Sequence, residues 1–201
     1  MYDVALFLHL VGVVLLVGSV STTLVATLRV QRAVSVAEVV TLTAVTKKVD
    51  VVIGPGLLLI LGSALYMLSE HGGDGRIPWT AGWVVVAFGV FIVMTVLGPT
   101  IEAGHAKRVL RLATELPDGP VPPALDAARR APIGTYVAFF GTAEIIATLF
   151  LMAVKPDLFG SLVACGIAGL LSVVLSVARL RSLGDAVPRE TPESIRVPGA
   201  Q

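Results

Sequence analysis

Charge is scarce in this chain. Asp, Glu, Lys and Arg make up 14% of its 201 residues, against about 25% in an ordinary soluble domain. The net charge of +1 leaves no global field to draw in nucleic acid. Cysteine occurs once, as Cys165 inside a hydrophobic run, which excludes an intrachain disulfide and any multi-cysteine metal site. There is no H-x-x-x-H or H-E-x-x-H pattern, no phosphate-cradling glycine loop, and no serine nucleophile with a local base. No basic stretch precedes the first apolar run, which is too long for a signal peptide core and lacks a small-residue cleavage site, so it is expected to be a retained span.

What is present is apolar: 55% hydrophobic residues and a mean hydropathy of +0.88. The predicted fold is all-α, a polytopic transmembrane helical bundle of five spans at about 4–28, 51–68, 79–101, 133–154 and 158–178, each long enough for a core of ~30 Å. Residues 29–48 are too polar to span and are expected to form a helix lying near the membrane surface. Gly54-Pro55-Gly56 predicts a kink or a broken first turn in span two. Trp79 and Trp83 occupy the position of an interfacial anchor. Residues 69–78 read as a polar loop, residues 116–123 as a breaker-rich linker and residues 124–130 as a short helix. The Pro- and charge-rich tail, 184–201, is expected to be disordered.

Lys and Arg fall unevenly. Arg29, Arg32, Lys47 and Lys48 lie between spans one and two, Lys107, Arg108, Arg111, Arg129 and Arg130 between three and four, and Arg179 and Arg181 after five. The other connections hold only Arg76 and Lys155. The positive-inside rule then predicts the N-terminus outside and the C-terminus inside.

Two polar residues stand out by depth, counted at ~1.5 Å per residue from the span ends. His9 lies roughly 8 Å in, and Glu144 roughly 15 Å, near the midplane. Each has a structural reading and a functional one. His9 is either a neutral imidazole bonded to a hydroxyl or carbonyl of a neighbouring helix, or a cofactor ligand or proton group. Glu144 is either a protonated carboxyl bonded to Ser or Thr across a helix interface, or a proton or ion relay. Asp50, Glu102, His105, Lys47 and Lys48 sit at the inner boundary and are expected to pair as interfacial ions. His105 is too deep on the other side to share a ligand with His9. Met67, Met94 and Met152 are expected to pack rather than to ligate. Gly160, Ala164, Ala168, Gly166 and Gly169 predict a close packing face on span five.

Leu8-His9-Leu10 followed by Gly18 resembles the first helix of the bacterial copper-resistance protein D family and of the HemJ-type protoporphyrinogen oxidases. It is closer still to a group of predicted bacterial integral membrane proteins of unknown function with the same layout. Met152-Ala153-Val154-Lys155-Pro156 is similar to the Lys-Pro ending of the HemJ-type fourth helix. The likeness extends over spans one to four, with span five an addition, and it implies a four-helix core with haem at His9. The HemJ-type third helix opens with Trp and, four positions on, Lys; here Trp83 stands at that place after Trp79, and the Asn-Glu pair before the fourth helix has no counterpart. The expectation is therefore a non-catalytic module of the bacterial inner membrane, with haem at His9 as its candidate cofactor and a larger membrane assembly or a second copy as candidate partner. A HemJ-like redox enzyme and a small-solute or metal-ion transporter using Glu144 are the alternatives.

Overall fold

The computed structural model describes residues 1–70 and 77–184. The α-helices among these residues are α1 (Tyr2–Val30), α2 (Val36–Glu70), α3 (Gly82–Leu97), α4 (Ala103–Thr114), α5 (Pro123–Arg129), α6 (Pro132–Val154) and α7 (Leu158–Gly184). A π-helical turn, Gly98–Glu102, joins α3 to α4 without a break. Among the described residues there is no strand, only an isolated bridge between Ser35 and Pro120. Five helical stretches are long and apolar enough to cross a membrane. The proposed tail falls almost wholly at 185–201, and the middle of the proposed 69–78 loop at 71–76, outside the described residues.

Close approach sets the α1–α2 pair. Buried positions on α1 recur at Ala5, His9, Gly12, Ser19, Thr23, Ala26 and Val30, a three-and-four spacing of mostly small side chains. A Cβ on Gly12 would lie 2.8 Å from Ile60 Cγ1 and 2.9 Å from the Gly56 carbonyl, so only glycine lets the two backbones meet there. Gly56, flanking Pro55, faces α1 at the same level. The expected break is absent: α2 is helical from end to end with Pro55 inside it and exposed.

The expected surface helix over 29–48 is also corrected. α1 runs on to Val30, and α2 starts at Val36. Ser35 and Glu38 form a capping box: Ser35 Oγ accepts the Glu38 N–H at 3.2 Å, and Glu38 Oε2 accepts the Val34 N–H at 2.9 Å. The apolar face that follows does not lie on lipid. Val36 and Val39 pack with Val30, Ala33, Val109 and Ala113 around Leu125, joining the ends of α1 and α2 to α4 and α5 in one buried cluster. This cluster lies at the end of the bundle that carries most of the basic residues, called here the basic end. At ~1.5 Å per residue α2 is roughly 52 Å long, well beyond a ~30 Å bilayer core.

α3 packs against α6 and α7, and α6 also lies along α1. A Cβ on Gly82 would fall on the Leu158 backbone, which fixes the start of α3 against the start of α7. The packing face of α7 is Ser161, Ala168, Ser172 and Ser176, with Cys165 between them half-buried. The glycine-rich face expected there is met only in part, because Gly166 is exposed with open space around it. The opposite face of α7, with Phe159, Leu162, Ile167, Leu170 and Val174, is exposed and apolar, as a lipid-facing surface requires.

Candidate functional site

Between α1, α2, α3 and α6 lies a cavity of about 170 Å3. Each helix contributes one stripe at helical spacing: His9, Val13, Val17 and Val20 from α1; Ile53, Leu57, Ile60 and Ala64 from α2; Phe88, Phe91, Met94 and Leu97 from α3; Gly141, Thr148 and Met152 among those from α6. The stripes on α1 and α2 each cover eleven residue steps, about 16 Å at the helical rise. The void is a slot along the bundle axis. Its walls are almost wholly apolar, with His9 at one end and Glu102 towards the basic end. Neither α1 nor α2 is a principal neighbour of α3 among the described residues. The slot therefore separates the α1–α2 pair from α3, where half-buried side chains such as Leu57, Phe91 and Met94 border it.

His9 is 8% exposed, sheltered as an imidazole at membrane depth must be. Its Nδ1 lies 3.2 Å from the Ile60 carbonyl and 3.2 Å from Ser63 Oγ. A carbonyl only accepts, so Nδ1 donates, and in the neutral ring the lone pair then sits on Nε2. Ser63 is itself tied to α2, its hydroxyl reaching the Leu59 and Ile60 carbonyls. The structural reading of His9, a bond to a hydroxyl or carbonyl across the helix pair, is met at Nδ1. The hydrogen bonds of His9 among the described residues are both made at Nδ1, and the residue lines the cavity.

Glu144, 4% exposed, is turned away from this cavity towards α7. Its carboxyl meets the Cys165 thiol rather than the Ser or Thr expected from the sequence, and lies close to Gly169. Oε2 has no hydrogen-bond partner among the described residues. His9 and Glu144 thus occupy different helix interfaces and form no common site. Met94 and Met152 line the cavity that His9 lines.

His105 lies in a separate, smaller pocket with Thr23, Thr27, Thr46 and Glu102, its ring against Gly134, where a Cβ would stand 2.6 Å from Nε2. The separation of His9 from His105 holds. Lys47 and Lys48 are exposed, and the side chain of Asp50 lies outside the described residues. Among the described residues the ion pairs at the basic end include those of Asp126 with Arg129 and Arg130.

Sequence reasoning missed the polar clamp at this end. Arg129, 5% exposed, donates from one guanidinium nitrogen to the Val30 and Ala33 carbonyls at 2.7 Å each and pairs with Asp126. Arg179 donates to the Leu28 carbonyl at 2.9 Å and to Gln31 Oε1 at 3.1 Å, while Gln31 donates to Thr135 Oγ1 at 2.7 Å. Two cations therefore satisfy the open carbonyls at the C-terminus of α1 and complement its dipole. Their positions by sequence, among several other basic residues, mark an end but not a partner.

Five apolar spans, buried polar residues and an apolar axial cavity define a polytopic helical membrane protein. Residues 3–156 match the family model described as a predicted integral membrane protein, DUF2269, and the chain belongs to that family. The matched stretch runs from α1 through α6 and ends before α7. No curated protein and no solved structure matches the chain.

Proposed function

We propose that the protein is a non-catalytic helical module of the bacterial inner membrane, basic end to the cytoplasm, which holds an apolar, membrane-soluble ligand in the axial cavity with His9 as its polar contact. The observation that carries this is the contact of His9 Nδ1 with the Ile60 carbonyl on a residue that lines the cavity. Nδ1 is committed to the Ile60 carbonyl, which leaves the Nε2 lone pair to a ligand on a ring that lines the cavity. A largely apolar pocket with few polar groups is also the usual form of a small-molecule site.

The motif resemblance of span one to HemJ-type and copper-resistance D proteins, to which the family match does not extend, makes haem the ligand to test first. On the donor side the residues fit. A neutral imidazole whose other nitrogen is held by a carbonyl is the arrangement of an axial ligand, and it would supply one coordination position at the iron. On the side of shape they do not. The volume is close to the roughly 150 Å3 that accommodates a benzene, drawn out over three helical turns, and a macrocycle of four pyrrole rings is wider than such a slot. Oxidase chemistry gains no support, and neither does ion relay by Glu144, because that carboxyl lies off the cavity.

Native mass spectrometry and an absorption spectrum of protein released in mild detergent test this together. The expected result is an apolar adduct of one per chain, lost in His9→Leu, with no Soret band. A Soret band that vanishes in His9→Ala would assign haem instead. A bare polypeptide mass from a folded protein refutes the binding reading.

A further inference from the structure

We infer that the ligand is an isoprenoid quinol: one hydroxylated ring in the cavity at His9, its chain leaving into the bilayer between α3 and the α1–α2 pair. This rests on the cavity reading above and adds the ligand's class. The first ground is shape. A void of about 170 Å3, little above the roughly 150 Å3 that takes one benzene, has room for a single ring and rejects fused or macrocyclic systems.

The second ground is the polarity of the ends. Nε2 of His9 is an acceptor in the tautomer fixed by Ile60, so its partner must bring a hydroxyl proton. Among the described residues no Lys or Arg lines the slot, and Glu102 is the one acidic residue that does. A phosphate or carboxylate headgroup would find no countercharge there, which disfavours phospholipids and fatty acids. A phenolic hydroxyl is neutral and donates.

The third ground is the wall near His9. Counted from the helix ends, Phe88 lies at about the depth of His9, and its ring both lines the slot and stacks with Trp79 at 6.4 Å between centroids. Aromatic faces favour a flat ring. Entry follows from packing: α3 rests on α6 and α7, and the slot lies between it and the α1–α2 pair, so a chain can pass in from the bilayer.

The Trp79–Phe88 contact supplies the assay, since a quinol ring bound beside Phe88 changes tryptophan emission. Full-length protein in phosphatidylcholine nanodiscs is titrated with a short-chain benzoquinol, its O,O-dimethyl ether and an alkanol of equal chain length. The quinol is expected to bind about tenfold more tightly than the ether, near the upper end of one hydrogen bond's net contribution. His9→Leu is expected to erase that difference. Gly141→Leu, which projects into the cavity where a Cβ meets nothing within 4 Å, is expected to abolish binding while leaving thermal unfolding unchanged. Equal affinity for quinol and ether, or for quinol and alkanol, overturns the quinol assignment and leaves the cavity reading standing. If no probe binds and no adduct is found by mass, both readings fall.

Discussion

Truncating Arg129 to alanine tests the clamp at the basic end. The side chain is 5% exposed and holds two carbonyl oxygens, Val30 and Ala33, at 2.7 Å, together with the Asp126 carboxylate. An exposed ion pair would be worth at most about 1 kcal/mol. A buried guanidinium is different: each hydrogen bond to a charged group contributes roughly 1.5–3 kcal/mol, and removing one partner of a buried pair costs about 3–5 kcal/mol. Asp126 keeps Arg130 at 2.9 Å, which limits the penalty on the carboxylate. Arg129→Ala should therefore destabilise by about 3–5 kcal/mol, a fall in Tm on the order of 10 °C for a chain of this size. Arg129→Lys should recover only part of this, because an ammonium keeps the charge but loses the planar fork. Thermal unfolding in mild detergent measures both. A value for Arg129→Ala within about 1 kcal/mol of the wild type would place the residue among ordinary surface pairs and refute the clamp.

Gly12→Ala should cost about 1–3 kcal/mol, because its methyl group meets the Gly56 carbonyl and the Ile60 backbone nitrogen as well as Ile60 Cγ1, and backbone cannot give way as a side chain can. Gly62→Ala on the exposed side of α2, with nothing within 4 Å, should be neutral or stabilising by up to about 1 kcal/mol; equal effects at the two sites in the same melt would refute the close approach. Glu144→Met should leave stability unchanged or raise it by about 1–3 kcal/mol, since Oε2 has no partner to lose. A loss of about 2 kcal/mol or more in detergent melts would show that the carboxyl makes a bond essential to the α6–α7 contact.

The spans themselves were legible because an uninterrupted apolar run of sufficient length has few folded alternatives. α6 begins one residue from its expected start and ends where expected. The start of α2 was misplaced for a definable reason: Lys47 and Lys48 look like a membrane boundary, yet the helix begins at Val36, eleven residues before Lys47. Ser35-Val36-Ala37-Glu38 was the readable sign of the true start. Burial of His9 and Glu144 followed from the cost of polar groups in hydrocarbon. Their separation did not, because helices apolar on nearly every side have weakly determined phase. Asp126 and Arg129 stand three apart on the expected short helix, a spacing that was not read as a pair; the carbonyls that bury the arginine lie 96 and 99 residues earlier, beyond any local pattern.

The link between α6 and α7 has one further consequence. Lys155 takes the left-handed conformation, φ 54 and ψ 52, and Asp157 Oδ1 accepts the Gly160 N–H at 2.7 Å, so the chain reverses within three residues and has no slack. The last helix is held beside the one before it, behind α3, and cannot swing round to shutter the flank where α1–α2 and α3 part. Among the described residues, the last helix therefore leaves that flank uncovered.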